Sequence, residues 1–517
     1  MNNMFVGIDI GCGGSKACIV DDQGRLIGYG FHEHKIMASN NTWSETDPLE
    51  YWTNIYTTIK DIIISKKVDV THIRAVSVSS AVPGMVMIDK NGSVINYAYN
   101  FLDARSLGIV TELQKRVSRH ESFALSAQNI NELSILTSIL WEKENRFSDY
   151  AQIVKILSPD GFITFQLTGE MIVNYSVAPF FGIIFDIKNR KFDFDMCERV
   201  GLNPKLLPNV HPCEDVVGYI TKQASILTGI PEGVPVIAGT CDAYAGWLAG
   251  GATEEGDAQI NLGTAAVLGV ILGEKPLFFE HIWNSIYPAN SKKNYVILTT
   301  TATGGYMLRY LRDNFSRYET FVEKTSGYDA YDLLILDAER VNPGSDGLIT
   351  LPHLVGARTP EYNQDAKGIV FGWRANHAKG HLIRSMMEGV AFSTYQQLST
   401  VKEKGITING PIVMNEGGAK SRLWRRIYTD VLGQPTVMLK NRTGAPYGNA
   451  ILAGVSTGFL PNFSIAKQWA EYTDYLEPDI AVHDMYQEVY ELYKSIYEHV
   501  KDDYKQLTQL RDKYKWQ

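Results

Sequence analysis

The 517-residue sequence has little cysteine: five residues, Cys12, Cys18, Cys197, Cys213 and Cys241, with no Cys-x-x-Cys pair among them. An odd set of widely spaced thiols implies neither a disulfide framework nor a zinc site, and points to a reducing compartment. Long apolar runs are also missing. No uncharged stretch approaches the roughly 18 residues that cross a bilayer, and the opening MNNMFVGIDIG lacks a basic leader followed by an apolar run. The expected location is cytoplasmic, with no membrane partner. Positive charge is in short supply as well, with 49 Lys and Arg against 57 Asp and Glu, a net charge of −8. Without a basic stripe to displace counterions, a sequence-independent grip on nucleic acid is excluded. An anionic ligand must then be held locally.

What is present is an ordinary globular composition, 45% apolar and 21% charged, in a chain too long for one core. Two domains are expected, residues 1–253 and 254–517, parted at the glycine-rich, acidic stretch AGGATEEG. Short apolar runs at Met4–Ile10, Ala75–Val78, Val234–Ala238 and Pro411–Met414 alternate with longer amphipathic segments, the rhythm of an α/β fold. Asp47 as N-cap, Pro48 in the first turn, and Trp52, Ile55, Ile59 and Ile62 at helical spacing predict a helix over Asp47–Lys66. The apolar stripes of His381–Val401 and Leu423–Leu432 read as packing faces, and Met485 to about Leu510 as a terminal surface helix. Two segments echo one another, FVGIDIGCGGSKACIV from Phe5 and AQINLGTAAVLGVIL from Ala258. Each reads as strand, small-residue turn, strand.

The first glycine turn, Gly11-Cys12-Gly13-Gly14-Ser15-Lys16, fits neither common nucleotide motif. A dinucleotide fold needs its glycines to open a helix, whereas Ala17–Val20 reads as a strand. A phosphate-binding P-loop would end in Gly-Lys-Ser/Thr. What remains is a hairpin whose N–H groups can converge on phosphate oxygens, with Asp9 at the end of its first strand able to hold Mg²⁺. An aspartate capping its own glycine hairpin is the alternative reading of this segment.

With these residues in hand, the sequence from about Phe5 to about Phe459 resembles the FGGY family of carbohydrate kinases, of the actin, sugar kinase and heat-shock ATPase superfamily. The resemblance implies an α/β fold of two ribonuclease H-like domains flanking a central nucleotide and substrate cleft. It implies ATP and Mg²⁺ as cofactors and a small sugar as substrate. The opening motif looks like Asp9-Ile10-Gly11 through Lys16, with Cys12 and Gly13 where the family usually has threonines, and it assigns Gly11, Gly13, Gly14, Ser15 and Lys16 to the nucleotide and Asp9 to the metal. Asp103-Ala104-Arg105, with Phe101 in a tryptophan position, resembles the family's substrate segment, and an aromatic wall beside charged groups suits a polyol. The segment Val236–Ala243 resembles the stretch carrying the family's catalytic aspartate, here Asp242, a general base for the sugar hydroxyl that also contacts the substrate. Gly263-Thr264 looks like the second phosphate loop, Gly305 like a glycine against the nucleotide, and Gly417-Gly418 like the stretch beside adenosine. Ser158–Gly161 also resembles a family stretch and reads as scaffold.

Substrate choice is carried by fewer residues. Val82 and Pro83 stand in the substrate segment where glycerol kinases have an Arg-Glu pair, and Ala81-Val82-Pro83-Gly84 replaces the Gln-Met-His-Gly of xylulokinases. The remaining texture is nearest the xylulokinase and gluconokinase-like branch, which implies a pentulose such as D-xylulose. Gluconate, an erythritol-type polyol and a non-catalytic, nucleotide-dependent sugar-sensing role are the alternatives. A homodimer is the default assembly for such an enzyme.

Overall fold

A computed structural model describes residues 2–40, 42–440 and 444–516. Strand β1 (Met4–Ile10) has all seven side chains buried, so both of its faces must be covered. It forms an antiparallel hairpin with β2 (Gly14–Asp21), and β2 pairs antiparallel with β3 (Leu26–Glu33). On its other side β1 runs parallel to β4 (Ile73–Ser80). With β5 (Val216–Tyr219) and β6 (Pro235–Cys241), the sheet has the order β5-β6-β4-β1-β2-β3. Strand β6 is parallel to β4, and β5 closes the edge antiparallel.

Alternation along β1 decides what covers each face. Val6, Ile8 and Ile10 share a core with Ile55, Ile59 and Ile62 of the helix Pro48–Ser65. Burying each of these isoleucines contributes about 1.5–3 kcal/mol. The Asp47 side chain accepts from the Leu49 N–H and Pro48 opens the helix, as the sequence predicts. Gly7, on the opposite face, lies against the helix Ala445–Ser456, where an added Cβ would sit 1.8 Å from the Pro446 carbonyl oxygen. Asp9 continues this second face.

The chain forms two compact units. Met1–Glu255, Ile271–Val296 and Asn441–Ala470 make one; Gly256–Val270, Ile297–Lys440 and Glu471–Gln517 make the other. Along the chain the first passage between the units falls at 255/256, and the chain returns twice to the first unit.

The second sheet repeats the first. Strands β7 (Ala258–Leu262) and β8 (Ala266–Gly273) form an antiparallel hairpin, with β9 (Tyr295–Thr301) next to β8. Strand β7 is parallel to β10 (Ile412–Asn415), which is parallel to β11 (Thr436–Leu439), and β12 (Tyr472–Leu476) pairs antiparallel with β11. An antiparallel edge, two parallel steps and a hairpin thus recur in the same order, which gives the echo between the two glycine turns a topological basis. The C-terminal helix, Ile480–Tyr514, differs from the expected surface helix: Tyr486, Tyr490, Tyr493, Tyr497 and Tyr504 are buried. Tyr490 and Tyr493 pack on Phe392 of the helix Lys379–Glu403. Their rings are amphipathic, and the apolar bodies fill a core face that a hydropathy reading scores as polar.

Candidate active site

Registry across three strands builds the first half of the site. Asp9 faces Lys16 across the β1–β2 hairpin and Ser79 across the parallel β1–β4 pair. Its carboxylate, 1% exposed, receives Lys16 Nζ at 3.2 Å on Oδ2 and the Ser79 hydroxyl at 2.8 Å on Oδ1. Ser79 in turn accepts from Asn449 Nδ2 at 2.7 Å, and the same amide donates to the Ile8 carbonyl at 2.7 Å. Neither Ser79 nor Asn449 was legible as part of the site. Asn449 lies 440 positions from Asp9 in the chain, and only the fold brings it there.

The glycine turn is held from behind. Gly11 N–H donates to the Gly14 carbonyl, His34 N–H to that of Gly13, and His34 Nε2 to that of Cys12 at 3.1 Å. Burial lowers the His34 pKa, in keeping with a neutral ring that donates through Nε2. Gly13 is exposed and has open space where a Cβ would lie, whereas Gly14 is pressed against the Phe31 ring. The Ser15 hydroxyl is enclosed and has no hydrogen-bond partner among the described residues.

Asp242 is the first residue of the helix Asp242–Ala249, directly after β6. Its Oδ1 accepts from Ala243 N–H at 2.7 Å and from the Cys241 thiol at 3.4 Å. Loss of hydration and the charge of Asp9 push its carboxyl up to about 7, against the opposing effects of these hydrogen bonds and Lys16. A carboxylate held there accepts a proton near neutral pH. Cys12 is exposed on the turn yet crowded by protein atoms, and desolvation together with the charges of both aspartates raises its thiol pKa. It is a thiol, not a thiolate.

The Asp103–Arg105 pair is brought close to the site but turned inward. Arg105 Nη2 reaches Asp103 at 2.7 Å and Glu45 at 2.8 Å, and the Arg105 side chain has 0% exposure. The guanidinium carbon lies 3.7 Å from the Tyr99 ring centre and 4.1 Å from that of Trp43. Asp103 also accepts the Ser44 N–H at 2.8 Å. The expected sugar-binding pair is thus bonded to itself and to Glu45, with Arg105 Nη1 enclosed and without a hydrogen-bond partner among the described residues, and its neighbours line open space. Phe101 and Asn100 line a small cavity together with Gly11, Cys12, Tyr51 and Ala81. Val82 and Pro83 follow at partial exposure. Asn100 and Tyr51 had no motif to announce them.

In the second unit the β7–β8 turn meets the start of the helix Tyr306–Phe315. Gly305 N–H donates to the Gly263 carbonyl, and Gly304 N–H donates to that of Thr264 at 2.8 Å. A Cβ on Gly305 would lie 2.7 Å from the Gly263 carbonyl oxygen, and one on Gly418 would lie 2.5 Å from Leu262 Cγ. Gly263, Thr264, Gly305 and Gly418 thus collect at the C-terminal end of β7, where β10 also ends. The glycines at 305 and 418 are demanded by the protein's own chain packing against them. Gly417, by contrast, has nothing within 4 Å of its Cβ position.

Residues 4–249 match the family model described as FGGY family of carbohydrate kinases, N-terminal domain, and residues 258–457 match its C-terminal domain. A gluconokinase of Bacillus subtilis (strain 168) is 28% identical over 467 residues, 90% of this chain and 89% of that protein. A xylulose kinase of the same strain is 24% identical over 457 residues, 88% of each. In fold, the chain is similar to the crystal structure of xylulose kinase from Rhodospirillum rubrum, with a TM-score of 0.89 at 23% identity, covering 97% of this chain and 100% of that one.

Proposed function

The chain belongs to the FGGY family of carbohydrate kinases and is an ATP-dependent sugar phosphotransferase, and we propose that Asp242 is its general base and a neutral ketose its acceptor. The observation that carries this reading is the carboxylate of Asp242, at a strand's C-terminal end, with its pKa raised to about 7 beside Asp9. A sugar hydroxyl is a poor nucleophile, and a carboxylate near its own pKa takes the proton as attack on the γ-phosphorus proceeds. Asp242 also holds the acceptor through that same hydrogen bond. The turn Gly11–Gly14, with Lys16, and the loops at Gly263-Thr264, Gly305 and Gly417-Gly418 bind ATP. Phe101 packs on the acceptor's C–H face, with Val82 and Pro83 beside it, and Asp103 and Arg105 shape this wall from beneath.

Two carboxylates in one another's field with a single lysine are short of one positive charge, and such hard oxygen donors fit Mg²⁺. Asp9 would hold it, leaving Asp242 free to act as the base, and when bound it would draw negative charge from phosphate oxygens. The notch at Phe101, about 10 Å³ and so part of the acceptor wall and not an enclosed sugar pocket, is lined only by uncharged residues. An aldonate such as gluconate would bring a carboxylate without a cation to meet it, whereas a pentulose such as D-xylulose brings only hydroxyls and a carbonyl. Retention of both Asp9 and Asp242 disfavours a purely sensing role.

An ADP-release screen over pentuloses, hexuloses, aldonates and polyols tests the acceptor, and preference for gluconate would overturn the neutral-ketose reading. In the Asp242→Asn variant, turnover is expected to fall by about 10²–10⁴-fold with ATP binding intact. Unchanged turnover would end the base assignment.

A further inference from the structure

Behind Asp242 lies a chain of buried polar side chains whose hydrogen-bond directions are all determined. Asp160, Asn174, Ser176, Thr240 and Ser80 each have 0% exposure. Asp160 Oδ1 accepts the Ser80 hydroxyl at 2.7 Å, and Oδ2 accepts Asn174 Nδ2 at 2.8 Å. Asn174 Oδ1, which can only accept, takes the Ser176 hydroxyl proton at 2.7 Å. With that proton committed, Ser176 Oγ must act as acceptor for its other two neighbours. These are the Thr240 hydroxyl at 2.9 Å and the Cys241 N–H at 3.0 Å. No donor or acceptor role along the chain is left ambiguous once Asp160 is the terminal acceptor at both oxygens.

The two ends of this chain matter. One is Ser80, whose next residue, Ala81, lines the cavity at Phe101. The other is the backbone of Cys241, which immediately precedes Asp242. The β6–β4 ladder shifts register between Ile237 and Thr240, with Gly239 at φ +86, and resumes at Thr240–Ser79 and Cys241–Ser80, its last pair before Asp242. The ladder ends at Cys241, and the Cys241 N–H goes to the Ser176 side chain, so Ser176 adds a second hold on the residue from which Asp242 leaves the strand.

We propose that Asp160, Asn174 and Ser176 are positioning residues for phosphoryl transfer. They fix the strand end that carries Asp242 relative to the acceptor-cavity wall at Ala81. None of them touches the reacting atoms. Their effect passes through the Cys241 N–H, so it depends on the reading of Asp242 as the base. A displacement of about 1 Å in a catalytic group costs up to 10²-fold in rate.

Ser176→Ala removes the acceptor for Cys241 N–H while leaving the fold's larger groups in place. The kcat is expected to fall about 10- to 100-fold, with the KM for ATP and the melting temperature little changed. Ser176→Thr, which keeps the hydroxyl, is expected to recover most of that loss. Asp242→Asn is run alongside. If Asp242→Asn keeps full turnover, the base reading fails and this proposal with it. If Asp242→Asn loses turnover while Ser176→Ala keeps kcat within twofold, the positioning role alone is overturned. It is also overturned if Ser176→Ala and Ser176→Thr lose kcat equally, or if the loss in Ser176→Ala follows a fall in melting temperature.

Discussion

Lys16 and Asp9 occupy one register position of the first hairpin, with the ammonium 3.2 Å from a carboxylate that is itself 1% exposed. The lysine is a third exposed, so the pair joins solvent to the interior, and its charge is the nearest compensation for Asp9. Lys16→Met is expected to lower kcat at least tenfold and raise the KM for ATP, with the KM for the sugar little changed. Because the lysine is partly solvated, the cost to stability should be small, about 1 kcal/mol. Steady-state kinetics against both substrates check this. A variant with unaltered ATP kinetics would remove Lys16 from the nucleotide site.

As the proposed base, Asp242 is expected to give the free enzyme an acidic limb. A base with its pKa raised to about 7 is half protonated there, so kcat/KM for the sugar should fall about tenfold per pH unit below that point. An acidic limb lying below pH 5 would mean that Asp242 ionises as an ordinary carboxylate and that Asp9 does not act on it.

Arg105 separates a structural role from a substrate role. Its guanidinium is wholly buried between Tyr99 and Trp43 and bound to Asp103 and Glu45. Removing it leaves the buried Asp103 without a cation and Glu45 with only Arg146 at 4.0 Å, at a cost of about 3–5 kcal/mol. Arg105→Lys should recover little, since it restores neither the planar fork nor the stacking. Urea unfolding measures both variants. A raised KM for the sugar with unchanged stability would instead put Arg105 in contact with the acceptor.

Gly417 and Gly418 are adjacent but should respond differently. A Cβ at 418 would meet Leu262, its carbonyl oxygen included at 2.9 Å, whereas one at 417 meets nothing within 4 Å. Gly418→Ala is expected to destabilise by about 1–3 kcal/mol. Gly417→Ala, at φ −61, should leave stability untouched. Any loss of ATP affinity in Gly417→Ala, measured by equilibrium binding, then reports contact with the nucleotide and not damage to the fold. Equal unfolding midpoints for the two variants would contradict the packing argument.

His353 sets an acid limit on stability. It is buried against the edge of the Tyr497 ring, and burial holds its pKa down to about 4. The unfolded chain protonates this ring near 6.5, so stability from keeping it neutral is full above 6.5 and is lost as the pH falls toward 4. The span corresponds to about 3 kcal/mol. His353→Phe should flatten the dependence of the unfolding midpoint on pH between 6.5 and 4, and an unchanged slope would assign the acid sensitivity elsewhere.

Local order was readable from local pattern. Asp47, Pro48 and the isoleucine spacing of Asp47–Lys66 settle a helix because capping and amphipathicity act within a few residues. The glycine turn at 11–14 settles a hairpin because Ala17–Val20 after it is a short continuous apolar run that ends in a turn, as a buried strand does. Asp242 was legible from its place after a buried strand. The tyrosine-rich end was legible as a helix but not as core, since a tyrosine carries both an apolar body and a polar tip and its burial depends on what packs against it.

What the sequence determined by itself was therefore the α/β alternation, the two glycine hairpins and the aspartate at the end of the buried strand, all products of short-range geometry. Only the tertiary structure decided which groups are spent and which are open. Asp103 and Arg105 turn inward because Trp43 and Glu45, on the strand Trp43–Thr46, and Tyr99, on its antiparallel partner Ala98–Tyr99, close around the guanidinium. Asn449 reaches Ser79, and Ser176 reaches Cys241, because parallel strands and their crossovers bring distant segments to one sheet end. Hydrogen-bond partners at such separations are set by the packing of whole layers, a property that no local pattern encodes.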